Sequence, residues 1–183
     1  MFPCKYRGGS IHCLAVLTVM HLLMRAVSAI IHTDVEIEVN DIGGSYMIKE
    51  IVKDTFLLSR RSEAATLQDM QTVLDLQDTL QAHADHCVGM AANMIGVLKR
   101  IIVFQDGGSY VTMLNPVIMK TGDKRYTAEE GCLCHSTQKK ALRYEKIKVS
   151  YMDCSGKKKI KTYEGFCAQI IQHELDHCDG ILI

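Results

Sequence analysis

The stretch IIQHELDHCDG, residues 170–180, contains the residues from which the fold is predicted. His173 and His177 stand four positions apart, and Glu174 directly follows the first histidine. Residues at positions i and i+4 share one face of an α-helix, so both imidazoles can face a single ion. In this H-E-x-x-H arrangement two histidines hold a divalent metal and the carboxylate takes a proton from water. The stretch therefore predicts a catalytic metal site on a helix.

A third protein ligand is expected upstream of this helix. Catalytic metal sites of this kind have three protein ligands and an open position, and only the six residues CDGILI follow His177. Unless Cys178 or Asp179 bends back from the helix end, the ligand comes from the segment EEGCLCHS, residues 129–136, which offers two cysteines and a histidine. Cys132 and Cys134 would point the same way on an extended segment, so spacing alone does not choose between them.

Length and composition are those of one globular catalytic domain. The chain has 183 residues, of which 48% are apolar, enough for a sizeable core. The charges of its 21 basic and 21 acidic side chains cancel, so binding of the whole molecule to DNA is not expected. Residues 120–161 hold twelve Lys or Arg against five Asp or Glu. This local excess is typical of a solvated hairpin face, with a surface that meets RNA or the ribosome as the alternative.

The cysteine pattern indicates a reducing compartment, which favours the cytoplasm. The eight cysteines form no dense, regular framework of the kind seen in secreted disulfide scaffolds. The absence of a C-x-x-C pair also argues against a four-cysteine structural zinc site.

Residues 1–46 are interpreted as an N-terminal extension and residues 47–183 as the catalytic domain. The run IHCLAVLTVMHLLM, followed by RAVSA, resembles a signal peptide, although His12, His21 and Arg25 interrupt it. The run is also too short, and interrupted by too many polar residues, for a membrane-spanning helix, which needs about 20 apolar residues. An upstream extension without function, with translation starting at Met47, is favoured over a targeting or anchoring segment. A membrane partner is expected only if residues 1–46 are translated and act as a targeting or anchoring segment.

The remaining chain predicts strands between two helices. A capping box at Thr66 precedes apolar residues at helical spacing, and β-branched or alternating segments follow. The order lacks βαβ rhythm, so an α+β fold is expected, with antiparallel strands packed around the C-terminal HExxH helix. The expected elements are a helix at 67–83, a strand at 100–104, a strand pair at 110–119 interrupted at Pro116, a hairpin at 146–165 and a helix at 166–178 capped by Gly180.

Three segments together resemble a known family. In order and spacing, GMAANMIG (89–96), EGCLC (130–134) and QHELDH (172–177) are similar to the G-x-G-L-A-A-x-Q, EGCLS and HExDH motifs of peptide deformylases. The resemblance covers residues 47–183. It implies a peptide deformylase-like fold and a metal-dependent hydrolase. Such an enzyme removes the formyl group from N-formylmethionine of newly made polypeptides and releases formate.

The resemblance also implies the roles of particular residues. It makes Cys132, His173 and His177 the ligands of one metal ion, which in this family is Fe²⁺, with Zn²⁺ or Ni²⁺ tolerated. Glu174 becomes the general acid and base, and the backbone N–H of Leu133 faces the developing oxyanion.

The substrate-binding residues implied by the resemblance lie near the motifs. Gly89 would belong to the strand edge that pairs with the peptide. Val88, Phe166 and Ile170 are candidates for the apolar pocket that receives the methionine side chain, although an ordinary core position is the favoured interpretation of each.

Three departures from the family motifs bear on activity. Met94 stands where the family has a glutamine that helps to hold the formyl oxygen, and its thioether cannot donate a hydrogen bond. Cys87 replaces a glycine, and Cys134 replaces the serine of EGCLS, where it is either a bystander or a competing metal ligand. The departures leave a catalytically weak or inactive peptide-binding relative as one alternative. The other alternative is a zinc endopeptidase, which a third ligand downstream of the helix would favour.

Overall fold

The computed structural model describes residues 47–183, which fold into three α-helices, seven strands and two short 3₁₀ turns. The interpretations of residues 1–46 lie outside the described residues. Among residues 47–183, no helix is long and apolar enough to cross a membrane. In chain order the elements are α1 (Thr55–Leu58), α2 (Met70–Ala82), β1 (Gly89–Ala91), β2 (Ile101–Asp106), β3 (Ser109–Thr121), β4 (Arg125–Cys132), β5 (His135–Tyr144), β6 (Lys146–Met152), β7 (Lys158–Glu164) and α3 (Gly165–Cys178).

The expected α+β architecture is confirmed. Five antiparallel strands form one sheet in the order β1-β2-β3-β6-β7, and β4 and β5 form a separate two-stranded hairpin. The expected hairpin at 146–165 is β6 and β7, which pair along their whole length. The sequence did not reveal that the segment around Cys132 is itself the turn of a hairpin, with Cys132 opposite His135.

The first long helix is preceded by the expected capping box. Thr66 accepts a hydrogen bond from the backbone N–H of Gln68, and its own N–H donates to the Asp69 carboxylate at 2.7 Å. A single 3₁₀ turn, Leu67–Asp69, leads into α2, so the α-helix begins three residues later than the pattern predicted.

The prediction of a strand pair interrupted at Pro116 is wrong. β3 is one strand that passes through the proline with an irregular register between Leu114 and Val117. Asn115 takes a positive φ of 52°, and its amide exchanges two hydrogen bonds with the backbone of Ala65. A β-bulge therefore absorbs the residue that cannot donate to the ladder, and the strand continues.

The sheet separates two cores because successive side chains of a strand face opposite sides. Ile101 and Val103 of β2 face the core that contains α2. Ile102 and Phe104 face the core that contains α3. The helix with the two histidines therefore packs across one face of the sheet, and β1 lies beside it at the edge.

The helix α3 ends at the expected glycine cap, Gly180. Gly180 has a φ of +75°, and its N–H donates to the His177 carbonyl, while the N–H of Ile181 donates to the Asp176 carbonyl. These two bonds form a Schellman motif, in which glycine takes the left-handed position at no steric cost. The end of the helix is therefore fixed close to His177.

Candidate metal centre

Cys132 and the two histidines of α3 come together at the junction of the hairpin and the helix. Cys132 ends β4, and its Sγ lies 3.1 Å from Nε2 of His177. The rings of His173 and His177 are 5.1 Å apart between centroids, as expected for neighbours one helical turn apart. His173 and His177 are 9% and 1% exposed, so their ring nitrogens are largely shielded from solvent.

Cys134 also belongs to this cluster. Among the described residues, the possible ligand atoms of Cys132, Cys134 and His177 all lie within 4.8 Å of one another. Both sulfurs point the same way because of a two-residue turn rather than an extended strand. The backbone N–H of Cys134 donates to Sγ of Cys132 at 3.4 Å across this turn.

A buried ion-pair network orients the first histidine. Nδ1 of His173 lies 2.9 Å from a Glu130 oxygen, which leaves Nε2 as the nitrogen available to a metal. Arg143 donates to both oxygens of Glu130, at 2.9 and 2.7 Å, and to Asp176 at 2.6 Å. The sequence analysis gave Arg143 no role. No local signal could have done so, since its contact with Glu130 depends on the register of the hairpin.

The electrostatics of the cluster favour a thiolate. A hydrogen bond from Cys134 and contacts with both imidazoles hold the pKa of Cys132 well below its ordinary value and outweigh the opposing effect of burial. Burial lowers the pKa of His173, but hydrogen bonds to Cys132 and Glu130 prevail and raise it to about 10. A thiolate beside imidazoles is a donor set that suits a divalent transition metal.

Glu174 lies in the centre of the helix and is 3% exposed. Burial raises the pKa of its carboxyl to about 7, and the two histidines oppose that shift. A general acid and base works best with a pKa near the working pH, so this environment suits proton transfer. The carboxylate lies against β1: a Cβ placed on Gly89 would be 2.8 Å from its Oε1.

A cavity of about 470 Å³ opens onto this cluster. Cys132, Leu133, His173 and Glu174 line it, whereas Cys134 and His177 lie behind its wall. All four residues expected to bind substrate also line it: Val88, Gly89, Phe166 and Ile170. Phe166 is 62% exposed at the mouth, and β1 pairs only with β2, so its other edge faces the cavity side.

The residues fit a metal ion. Among residues 47–183, five buried side-chain N or O atoms have no hydrogen-bond partner, and one of them, Oε2 of Glu174, belongs to a residue that lines the cavity. Buried polar atoms are otherwise almost always paired, so this carboxylate oxygen marks a site built for a ligand. The Asn93 side chain donates to the His177 carbonyl at 2.7 Å and so joins the 3₁₀ turn Ala92–Ile95 to α3, a contact that the sequence analysis missed.

Met94 and Leu133, the two residues considered for the expected oxyanion position, both line the cavity. The sulfur of Met94 accepts a hydrogen bond from the N–H of Ala91 at 3.4 Å, so it is occupied as an acceptor. The carbonyl of Leu133 accepts a hydrogen bond from Lys53, which holds the peptide plane of the turn.

A comparison with known proteins decides the family. Residues 48–183 match the family model described as polypeptide deformylase. The chain belongs to the polypeptide deformylase family. It is a metal-dependent hydrolase that removes the formyl group from newly made polypeptides. Neither the zinc endopeptidase nor the inactive relative is favoured by these comparisons.

Individual relatives of this deformylase agree in sequence and in fold. It is 54% identical over 137 residues to the peptide deformylase of Clostridium beijerinckii, covering 75% of this chain and all of that one. It is similar to the solved peptide deformylase of Thermotoga maritima, with 29% identity, a TM-score of 0.69 and coverage of 75% and 95%. A class I type b peptide deformylase of Acinetobacter baumannii bound to Met-Ala-Ser matches with 26% identity, a TM-score of 0.69 and coverage of 74% and 97%.

Proposed function

We propose that this deformylase uses Fe²⁺ held by Cys132, His173 and His177, with Glu174 as its general acid and base. The observation that carries the proposal is the approach of Cys132 Sγ to His177 Nε2 at 3.1 Å, together with the carboxylate oxygen of Glu174 that has no hydrogen-bond partner. Three protein donors leave a position for water, as catalytic sites require. When bound, the ion supplies a Lewis acid that makes water nucleophilic at neutral pH.

Glu174 moves the proton in this scheme. Its carboxylate accepts a proton from the attacking water and passes it to the leaving amine, so that formate and a free N-terminus result. Because the side chain is buried among His173, His177 and Gly89, it is held in one place and excluded from bulk solvent. Glu130 and Arg143 keep His173 in the ring orientation that presents Nε2.

The N–H of Leu133 is proposed as the donor to the developing oxyanion. Met94 supplies no second donor because a thioether only accepts. Removal of one such donor typically lowers turnover by about a hundred- to a thousandfold, so we expect slow turnover unless another group compensates.

The N-formylmethionyl peptide is proposed to bind as an added strand along β1. Gly89 lies at this edge, where an extended peptide gains backbone hydrogen bonds. Val88, Phe166 and Ile170 would form the apolar wall for the methionine side chain. We place the reaction in the cytoplasm, where formylated chains leave the ribosome.

The ligand set is tested by measuring bound metal in protein prepared without oxygen and loaded with Fe²⁺. Cys132→Ser, His173→Ala and His177→Ala are each expected to weaken binding by at least the roughly 10- to 100-fold that loss of an outer-shell partner produces. Cys154→Ser is the matched control, because Cys154 is exposed and separate from the cluster. Unchanged affinity in any one of the three variants would remove that residue from the proposed set.

A further inference from the structure

The second cysteine of the turn has a position that the proposed reaction does not use. Cys134 is 4% exposed, and its sulfur shares a cluster with Cys132 and His177 in which every pair of ligand atoms lies within 4.8 Å. Donor atoms around a tetrahedral zinc ion lie about 3.5–3.8 Å apart, as follows from bond lengths of about 2.0 and 2.3 Å. A shift of about an ångström would therefore bring Cys134 into the coordination shell.

The surroundings of this sulfur also point to a ligand. Oε2 of Glu174 has no hydrogen-bond partner although this side chain is only 3% exposed, and Cys134 is itself only 4% exposed. Cys134 does not line the cavity, so its sulfur lies behind the cavity wall, as His177 does. The turn fixes this approach, since the N–H of Cys134 is already bonded to Sγ of Cys132.

We propose that Cys134 is a second thiolate ligand, so that the metal centre has a closed resting form with four protein donors. This inference rests on the metal centre proposed above and adds a ligand to it. Binding through sulfur requires the Cys134 thiol to lose its proton to solvent, which a coordinated divalent ion brings about. Cys132, Cys134 and His177 already lie together, and His173, which is outside this group of three, would supply the fourth donor of the closed form.

In the closed form, the Cys134 sulfur competes with water and substrate for the metal. Four protein donors are typical of structural zinc sites, whereas catalytic sites keep one position open. Cys134 therefore has to release the metal, and regain its proton, before water and substrate can bind. Zn²⁺ and Co²⁺ favour the closed form because both bind thiolates well, and harder ions favour the open form.

Cobalt provides a direct count of thiolate ligands. The full chain, kept reduced and free of oxygen, is loaded with Co²⁺, and the near-ultraviolet thiolate-to-cobalt absorption is measured per bound ion. The wild-type protein is expected to show about twice the intensity of Cys134→Ser, since each thiolate contributes separately. Cys154→Ser, which removes an exposed cysteine outside the cluster, is expected to match the wild type.

Each outcome decides between the two proposals. Equal intensity in the wild type and in Cys134→Ser overturns the second thiolate and leaves the three-ligand centre standing. Absence of the band in the wild type overturns the metal centre itself. If Cys134→Ser does not fold, Cys134→Ala gives the same count. If that variant also fails to fold, sulfur-to-metal counting by X-ray absorption on the wild type decides: one sulfur per cobalt overturns the proposal and two support it.

Discussion

At the scale of the residue, Gly89 determines how closely the edge strand approaches the general base. A Cβ at this position would lie 2.5 Å from Cγ2 of Ile170 and 2.8 Å from Oε1 of Glu174, closer than real Cβ contacts allow. The requirement for glycine here is steric: its φ is not in the left-handed region, and the space is filled by the helix.

Gly89→Ala is therefore expected to displace Glu174 and to lower kcat/KM by roughly a hundredfold, the usual effect of a shift of about an ångström in a catalytic group. Initial rates of formate release measure this. The matched control is Gly122→Ala, where a Cβ would meet Lys146 Cβ at 3.2 Å and which does not line the cavity. Wild-type activity in Gly89→Ala would show that the carboxylate is not held against this strand.

At the scale of the element, the β4–β5 hairpin and α3 are joined by Glu130, Arg143 and Asp176. Burial raises the pKa of Glu130, but hydrogen bonds from Arg143 and His173 prevail and lower it to about 2. A carboxyl whose pKa is depressed in the folded state stabilises the fold above its unfolded value of about 4.5. That contribution is lost as the pH falls through about 2.

The free energy of unfolding of the metal-free protein is accordingly expected to decrease between about pH 4.5 and pH 2, by about 3 kcal/mol from this group. Glu130→Gln should remove that part of the pH dependence. It should also be less stable at pH 7, because Arg143 loses its buried partner. Denaturant unfolding at several pH values measures both effects. Glu129→Gln, at the exposed neighbouring position, should keep the wild-type slope, and an equal slope in Glu130→Gln would contradict the account.

The elements also show what could be predicted from the sequence. The pair His173 and His177 follows from helical periodicity alone, and the C-terminal cap follows from Gly180. The partner Arg143 could not be predicted, because it lies 13 residues from Glu130 and reaches it only through the hairpin register. The bulge at Asn115 was also missed, since the hydrogen bonds that support it come from Ala65, 50 residues away.

At the scale of the whole molecule, the sheet holds two cores apart and places the reaction at their boundary. One core packs α2 against β1 and β2, and includes Met94 and Cys134. The other packs α3 against β2, β3 and β6. The metal centre lies where the hairpin turn from the first core meets the helix of the second. Its geometry therefore depends on the packing of the whole domain, which explains why Cys132 and His177 meet across 45 residues of chain.

The measurement that tests the account most directly is formate release from a formyl-Met-Ala-Ser peptide by protein prepared without oxygen and loaded with Fe²⁺. Glu174→Gln is compared with the wild type at equal metal content. The account predicts release by the wild type that depends on the metal, with a loss of roughly a hundred- to ten-thousandfold in the variant because the general base is removed. Equal rates in the two proteins, or no formate from wild-type protein with its iron bound, would contradict it.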